Sequence, residues 1–285
     1  MLAAALDLLS CPHCGGPLDP IGADQVPQPI GTVGCWAGHR FDVARHGQLS
    51  LLSGRARTDT ADTADMVAAR VAFLATGHYD PIRDAVVSAV TSAGPVLDVG
   101  AGPGWYLAGA VDPVEERIGV ALDSSRFAAR RAARAHPRVA AVVADAWSAL
   151  PVRAASIGTV LSVFAPRDPA EFARVLEPGG RVVAVTPEPD HLAELRETFG
   201  LLAVAEGKSD TLADDAVAAG LGTVTDHSQV VRYGVALTAV QAADLVRMGP
   251  TARHRSADEI AQGASTLRDP VHVTVAVTVT VLRRD

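Results

Sequence analysis

Between residues 95 and 187 the chain alternates short apolar runs with stretches of helical spacing. Each run is largely apolar at consecutive positions, as in strands that are buried on both faces of a sheet. An alternation of such strands with helices is typical of a doubly wound parallel sheet, so the sequence predicts an α/β fold. The runs are VLDVG (96–100), IGVAL (118–122), VAAVVA (139–144), TVLSVF (159–164) and RVVAVT (181–186).

Three glycines follow the first of these strands in VLDVGAGPGWYL, namely Gly100, Gly102 and Gly104. Glycine allows a tight turn after the strand and lets the backbone approach a ligand closely. The same spacing also occurs in ordinary tight turns, and it departs from the full GxGxxG pattern of dinucleotide sites. The loop therefore indicates a binding site without naming its ligand.

Carboxylates stand at the ends of neighbouring predicted strands. Asp98 lies within the first strand, Asp123 ends the second and Asp145 ends the third. A carboxylate about twenty residues after the glycine loop can accept both ribose hydroxyls, and Asp145 is placed to meet an adenine amino group. Either of the latter two could alone be a helix N-cap. In combination with the loop, these residues favour S-adenosyl-L-methionine over a dinucleotide.

The C-terminal part of the chain has a different pattern. VVRYGVAL (230–237) and HVTVAVTVTVL (272–282) are predicted strands, with a helical segment (239–248) between them. We expect the last strand to run antiparallel beside the fifth strand of a seven-stranded sheet. Class I methyltransferases use this Rossmann-like arrangement, which is an analogy of fold and does not identify the acceptor.

The cysteines lie near the beginning of the chain, and there are three of them. Cys11 and Cys14 form a C-x2-C knuckle, and Cys35 is followed by His39 at x3 spacing. Structural zinc takes four ligands in a tetrahedron, so the two halves predict a Cys3His site. His13 is less suitable because it lies inside the knuckle, between the two thiolates.

Two other interpretations apply to the same cysteines. They could be buried free thiols, or Cys11 and Cys14 could be a redox pair of the thioredoxin type. A redox pair of this type is followed directly in the sequence by a helix, whereas Gly15, Gly16 and Pro17 follow the pair here. We therefore expect a closed, structural Zn²⁺ site.

The composition divides the chain into three parts. Residues 1–52 lack a long helical period and are predicted to form a zinc-ribbon module. Residues 53–93 comprise a polar linker and two helices, and residues 94–285 are the predicted methyltransferase domain. No apolar run reaches the length of a membrane span, and the first residues lack a signal-peptide pattern. We therefore expect a cytoplasmic protein without membrane contact.

The net charge of −7 does not indicate a nucleic-acid-binding domain, so RNA binding would need a local basic patch. One candidate consists of Arg126, Arg130, Arg134 and Arg138, which recur at helical i, i+4 spacing with Arg131 beside them. Such a face is either simply solvated or binds phosphate.

Further segments accompany the ribbon and the glycine loop: RFDVARHGQLSLL (40–52), DMVAARVAFLATGHYDPIRDAV (65–86), VFAPRDPAEFARVLEPGG (163–180) and TPEPDHLAEL (186–195). In this order they resemble the RlmA-type 23S rRNA guanine-N1-methyltransferases. Within that family the chain is most similar to the tylosin-resistance branch of actinomycetes. The resemblance extends over essentially the whole chain and is more specific than the loop alone.

The resemblance implies methylation of guanine N1 in a 23S rRNA hairpin loop near the peptide exit tunnel, and macrolide (tylosin-type) resistance as its consequence. It implies that Tyr79, Gly104, Trp105 and His191 contact S-adenosyl-L-methionine, and the family pattern agrees with His39 as the fourth zinc ligand. From the residues alone, a core tyrosine is the favoured interpretation of Tyr79 and a surface histidine that of His191; the resemblance reverses this preference.

VFAP ends the fourth predicted strand, beside the expected position of the transferred methyl group. Phe164 could stack there on the target base, and the carbonyls of Phe164 and Ala165 could orient its N1–H and amino groups. Phe164 could also be a core aromatic. Asp168 and Asp190 are candidate general bases, although neither stands out. The guanine must reach the site unpaired.

One position departs from the family, because Arg253 stands where the family usually has tryptophan. That departure leaves open a methyltransferase of the same ancestry that acts on a small molecule. A non-catalytic zinc-ribbon RNA-binding protein is a third alternative, against which the intact loop argues. The ribbon and the linker are the predicted RNA-binding surface, and its arginines are Arg40, Arg45, Arg55 and Arg57. The formation of a homodimer is left open.

Overall fold

The structure, a computed structural model, describes residues 2–22, 30–53, 61–165, 168–201, 214–224 and 228–285. The strands are β1 (Asp19–Pro20), β2 (Thr32–Gly34), β3 (Arg40–Asp42), β4 (Leu49–Ser50), β5 (Val96–Val99), β6 (Gly119–Asp123), β7 (Val139–Val143), β8 (Ile157–Val163), β9 (Leu176–Pro187), β10 (Leu221–Thr223), β11 (Gln229–Leu237) and β12 (Val271–Arg284). The helices are α1 (Leu2–Ala5), α2 (Ala64–Leu74), α3 (Asp80–Ala89), α4 (Trp105–Val111), α5 (Arg126–Ala132), α6 (Pro169–Val175), α7 (Arg196–Phe199), α8 (Ala239–Arg247) and α9 (Ala257–Ser265).

The central sheet has the strand order β10–β12–β9–β8–β5–β6–β7–β4, and β11 pairs with β12. Strands β5 to β9 run parallel to one another. The last strand, β12, is inserted antiparallel between β9 and β11. The predicted doubly wound sheet with an antiparallel last strand is therefore confirmed.

The sheet is covered on both faces, which explains its uninterrupted apolar strands. Every residue of β5, β7 and β8 is buried. One apolar cluster joins the sheet to α2, α3, α4 and α8, and the other joins it to α6 and to the beginning of the chain. Full burial of one Val or Leu side chain contributes about 1.5–3 kcal/mol, so these two clusters supply most of the driving force for folding.

The beginning of the chain packs directly on the central sheet. Strands β1, β2 and β3 form a small antiparallel sheet of their own, but β4 pairs in parallel with β7. Leu6, Leu9 and Leu49 are buried in the same apolar cluster as β6 and β7. The predicted zinc-ribbon module (1–52) therefore shares its core with the sheet.

The prediction that the arginines share one helical face is wrong, because α5 ends at Ala132. Arg134 lies beyond the helix, and its Nη2 is 2.7 Å from Nδ1 of His46. Arg138 donates to the carbonyl oxygen of Val111 at 2.9 Å. The four arginines therefore do not form one helical face.

Among the residues that the structure describes, no helix is long and apolar enough to cross a membrane.

Candidate active site and metal centre

The glycine loop follows β5 with its backbone in the left-handed region, at φ values of 75° for Gly100, 54° for Gly102 and 79° for Gly104. A Cβ on Gly104 would also lie 3.2 Å from the Cα of Ala132 and 3.1 Å from the Cβ of Ala135. Both the dihedral angle and the close approach of α5 therefore require glycine at this position.

A pocket opens between this loop and the carboxyl end of β8. It receives side chains from α2, from β5 and from the beginning of α4. Five of the nine residues predicted from the sequence to bind the cofactor line it, and so does Phe164, whereas Gly104, Asp123, Asp145 and His191 are not among the lining residues. The lining residues are Arg70, Leu74, Tyr79, Asp98, Gly100, Ala101, Gly102, Pro103, Trp105, Tyr106, Val163, Phe164 and Met248.

Asp98 is the acidic group of the pocket and is only 1% exposed. Burial and the nearby carboxylate of Asp123 raise the pKa of Asp98 to about 8. A buried carboxyl group in this state is ready to ionise when a cation binds next to it. Asp98 is therefore suited to hold a positively charged group of a ligand.

Asp123 stabilises the glycine loop from the end of β6. Its Oδ2 accepts a hydrogen bond from the Gly102 N–H at 2.8 Å, and its Oδ1 accepts one from the Ser125 N–H at 2.7 Å. Burial raises the pKa of Asp123, whereas these two backbone donors lower it. Each carboxylate oxygen has a second lone pair, so both can still accept a ribose hydroxyl.

Asp145 is buried in the turn after β7 and is not among the pocket-lining residues. Its Oδ1 accepts a hydrogen bond from the Trp147 N–H at 2.9 Å, and its Oδ2 accepts one from the Ser148 hydroxyl at 2.9 Å. Asp145 thus caps a turn, whereas the helix that the N-cap alternative required does not form over residues 146–150. The adenine contact of Asp145 stays a prediction.

Three aromatic side chains form a cluster at the mouth of the pocket. The Phe164 ring stacks on His191 with 5.8 Å between ring centroids, and it lies 6.3 Å from the Tyr79 ring. Phe164 is 38% exposed and has a positive φ of 53°, which is unusual for a residue with a side chain. Strained residues of this kind cluster at functional sites. Phe164 is therefore not simply a core aromatic.

The tautomer of His191 is fixed by a backbone contact. Its Nδ1 accepts a hydrogen bond from the Ala276 N–H at 3.2 Å. Burial, and then the positive charge of Arg196, lower the pKa of His191 to about 4. The ring is therefore neutral at physiological pH, with its remaining proton on Nε2, and acts as a hydrogen-bond donor there.

Two residues that the sequence analysis did not indicate also line the pocket. Arg70 lies on α2 and Tyr106 on α4, and both line the pocket. Trp105, which was predicted, packs edge-on against Tyr106 at 4.9 Å and lies under the guanidinium of Arg83 at 4.4 Å. The only sequence signal for Arg70 is a charge in the otherwise apolar run MVAARVAFL.

Arg253, the position that departs from the family, contacts the segment before α2. Its guanidinium donates to the carboxylate of Asp62 at 3.3 Å and to the carbonyl oxygen of Ala61 at 3.4 Å. The same carboxylate accepts from Arg70 at 2.8 Å. Arg253 is thus tied to the entrance of the pocket through Asp62.

Cys11, Cys14, Cys35 and His39 converge on one point, with their ligand atoms all within 4.8 Å of one another. His39 Nδ1 lies 3.3 Å from Cys35 Sγ and 3.5 Å from Cys11 Sγ, and Cys14 Sγ lies 3.6 Å from Cys35 Sγ. In tetrahedral zinc sites neighbouring sulfurs lie about 3.8 Å apart, and sulfur and nitrogen about 3.5 Å apart. The predicted Cys3His set therefore fits a zinc ion.

The thiol of Cys35 has a charge state that suits a metal ion. Burial raises the pKa of Cys35, but hydrogen bonds with His39, with Cys14 and with the Ala37 backbone together outweigh this effect and lower the pKa to about 6. Burial raises the pKa of Cys11, the most buried of these ligands. His13 is exposed, and its ring packs on His39 at 4.8 Å and on Phe41 at 5.9 Å. As predicted, His13 is outside the ligand set.

The strand order, the glycine loop and the carboxylates after consecutive strands define a class I methyltransferase. A protein-family profile described as a methyltransferase domain matches residues 96–180. The crystal structure of the YcgJ protein from Bacillus subtilis is similar with a TM-score of 0.49 at 16% identity, covering 73% of this chain and 99% of that one.

Curated relatives match the chain over nearly its full length. The 23S rRNA (guanine(748)-N(1))-methyltransferase of Streptomyces fradiae is 41% identical over 286 residues, covering 96% of each chain. A protein of Micromonospora griseorubida with a provisional 23S rRNA (guanine-N(1)-)-methyltransferase name is 41% identical over 292 residues, covering 94% of this chain and 95% of the relative. The chain belongs to the family of 23S rRNA (guanine-N1)-methyltransferases.

Proposed function

We propose that the protein transfers a methyl group from S-adenosyl-L-methionine to N1 of a guanine in a 23S rRNA hairpin loop. The observation that carries this proposal is the 41% identity, over 96% of both chains, to the Streptomyces fradiae enzyme whose name specifies that atom. Because that relative is specific for guanine 748, we propose the same hairpin near the peptide exit tunnel as the substrate. Resistance to tylosin-type macrolides would follow from its modification, and such a substrate is cytoplasmic.

The pocket residues fit S-adenosyl-L-methionine. We assign Asp98, which lines the pocket, to the cationic amino-acid end, and Asp123, which accepts from the Gly102 N–H, to the ribose. We assign Tyr79 and Trp105, which line the pocket, and His191, which stacks on Phe164, to the aromatic contacts with the cofactor, and Asp145 to the adenine. When bound, this cofactor supplies an electrophilic methyl group on a sulfonium, so the protein mainly positions the acceptor in line with it.

The acceptor base has a platform in the aromatic cluster of Tyr79, Phe164 and His191. Phe164 lies at the pocket mouth and is partly exposed, so an unpaired guanine can stack on it. The positive φ of Phe164 turns the backbone at the end of β8. We assign the carbonyl oxygens of Phe164 and Ala165 to the N1–H and amino group of the guanine.

The candidate general bases are engaged in other contacts. Asp168 caps α6 by accepting from the Ala170 and Glu171 N–H groups at 3.1 and 3.2 Å, and Asp190 pairs with Arg232. His191 uses its Nδ1 lone pair for a backbone N–H, so it serves as a donor. We therefore assign loss of the N1 proton to solvent, with the backbone carbonyls orienting the base.

The zinc ion is assigned a structural role. All four ligand positions come from the protein, which leaves no open coordination site for chemistry. The ion would fix the ribbon, on which Trp36 is 79% exposed and Arg40 and Arg45 are exposed. Exposed aromatic and arginine side chains are typical of surfaces that bind unpaired RNA. Arg55 and Arg57, also predicted for this surface, lie outside the described residues.

Replacing Phe164 tests the platform for the base. We expect Phe164→Ala to lower methyl transfer to rRNA by about tenfold to a hundredfold, since stacking of a base on an aromatic ring contributes about 1–3 kcal/mol. Phe164→Tyr retains the ring and is expected to keep most of the activity. Binding of S-adenosyl-L-homocysteine, the product of methyl transfer, should weaken less than methyl transfer does in the Ala variant, since Phe164 also lines the pocket. Equal activity of the Ala and Tyr variants would contradict the platform.

Labelled S-adenosyl-L-methionine and protein-free 23S rRNA from a strain that lacks the modification test the proposed acceptor. We expect stoichiometric transfer of label to the rRNA. Transfer to a small molecule without any label in the rRNA would show that the protein has been recruited to another substrate.

A further inference from the structure

A group of basic side chains lies where the ribbon meets α5. Arg45 and His46 belong to the turn between β3 and β4, Arg130 lies on α5 and Arg134 follows the end of that helix. Nη2 of Arg134 is 2.7 Å from Nδ1 of His46, and Nε of Arg45 is 3.1 Å from Nε2 of the same ring. None of these residues lines the cofactor pocket. The fold thus brings cations from two distant parts of the chain together, and we call this group the basic cluster.

The contacts around His46 leave one hydrogen-bond donor without an acceptor. Partial burial, and then the positive charges of Arg130, Arg134 and Arg45, lower the pKa of His46, so the ring is neutral at physiological pH. A neutral imidazole has one N–H group and one acceptor nitrogen, but an arginine nitrogen faces each of its two nitrogens. One of the two arginines therefore faces an N–H group, and an anion between them would supply the missing acceptor.

The positive charges of the basic cluster are not neutralised by carboxylates. Among the described residues, no ion pair includes Arg45, Arg130 or Arg134. All three arginines are exposed, so their guanidinium groups reach solvent. Exposed arginines without acidic partners suit phosphate groups, because each guanidinium offers several N–H donors in a planar fork that matches phosphate oxygens.

The positive surface continues along α5 toward the cofactor pocket. Arg126 begins the helix next to Ser125, whose N–H donates to Asp123 at 2.7 Å beside the glycine loop. The Arg126 guanidinium lies 4.8 Å from the centre of the Phe127 ring, and both side chains are exposed. The helix is about 10 Å long at a rise of 1.5 Å per residue. The arginines therefore lead from the ribbon to the edge of the pocket.

We propose that the basic cluster binds phosphate groups of the RNA backbone in the hairpin whose guanine enters the pocket. The inference rests on the proposed function, since it takes RNA as the substrate, and it adds a contact surface on the methyltransferase domain to the surface of the ribbon. Arg45, Arg130 and Arg134 donate to phosphate oxygens from both sides of the boundary between ribbon and α5. Such contacts read no bases, so they position the hairpin relative to the pocket without selecting its sequence.

Binding of an unmodified 23S rRNA hairpin fragment at several salt concentrations tests this surface. Each arginine–phosphate contact releases counterions, so its loss lowers the slope of log affinity against log salt by about one. We expect the double variant Arg130→Gln/Arg134→Gln to bind the hairpin about tenfold more weakly or worse and to lower the slope by about two. A hairpin with adenine in place of the target guanine should show the same loss, because the contacts are to the backbone. In methylation assays the KM for RNA should rise while kcat changes little.

Arg283→Gln is the matched control, because Arg283 is exposed on β12, near the other end of the central sheet from β4. It removes the same charge and should leave affinity and slope as in the unaltered protein. Binding of S-adenosyl-L-homocysteine and the melting temperature check the fold of the double variant, and Arg45→Gln, in an exposed turn, should independently lower the slope by about one.

An unchanged slope in both the double variant and Arg45→Gln would overturn the inference alone, and so would an equal loss of affinity in Arg283→Gln. Failure of the unaltered protein to methylate 23S rRNA would instead overturn the proposed function.

Discussion

Replacing Cys35 with Ser is expected to abolish zinc binding and to destabilise the protein well beyond the ribbon. Structural zinc in small domains contributes about 10–16 kcal/mol of apparent binding free energy, so its loss unfolds the segment that it organises. Here that segment shares a buried cluster with the central sheet, through Leu6, Leu9 and Leu49. We therefore expect a lower melting temperature for the whole protein in addition to proteolysis of the first 52 residues.

The measurement is metal analysis of freshly purified protein together with thermal unfolding. The unaltered chain should contain one equivalent of zinc, and Cys35→Ser should contain none. His13→Ala is the matched control, because His13 lies beside the ligands without belonging to them, and it should retain the full equivalent. Zinc-free unaltered protein, or loss of zinc in the His13 variant, would refute the Cys3His assignment.

Replacing Asp98 with Asn is expected to stabilise the ligand-free protein and to impair cofactor binding. Asp98 keeps its proton in the folded state up to a pH of about 8, whereas an unfolded aspartate loses it near pH 4. Between these values the unfolded state binds fewer protons, so the stability of the unaltered protein falls as the pH rises. Asn does not titrate, so the stability of the variant does not fall with pH for this reason.

At pH 8 the ligand-free Asp98→Asn variant should therefore melt at a higher temperature than the unaltered protein, and the difference should vanish near pH 4. Its affinity for S-adenosyl-L-homocysteine should fall about tenfold to a hundredfold, because a charged hydrogen bond to the ammonium group is lost. Asp112→Asn is the control, since the Asp112 side chain is 79% exposed. A destabilised Asp98 variant with unchanged affinity would contradict the assignment of Asp98.

Much of the fold could be predicted because its signals are local. Buried parallel strands produce continuous apolar runs, and a C-x2-C knuckle with a C-x3-H partner leaves few candidates for the zinc ligands. The spacing of Gly100, Gly102 and Gly104 likewise reports a local backbone requirement, which their positive φ values confirm. Each of these features could be predicted from residues that are close together in the sequence.

Some features could not be predicted because they depend on long-range contacts or on strands too short to give a pattern. Another was missed because the end of helix α5 was not anticipated. Arg70 reaches the pocket because it is held by Met248, far away in the chain. The two-residue strand β4 is too short to give a periodic signal. The prediction of one arginine face is wrong because α5 ends at Ala132, and Pro137, which disfavours helical backbone at His136, indicates that the helix could not have continued to Arg138.

The identity of the methylated atom tests the central claim most directly. Unmodified 23S rRNA is incubated with the protein and S-adenosyl-L-methionine, digested to nucleosides and analysed by mass spectrometry, while reverse transcription maps the modified position. We predict a single new 1-methylguanosine in a hairpin loop, which blocks reverse transcription there because the methyl group occupies the pairing edge. A methyl group on another atom or on another nucleotide, or unmodified rRNA in the presence of bound cofactor, would contradict the account.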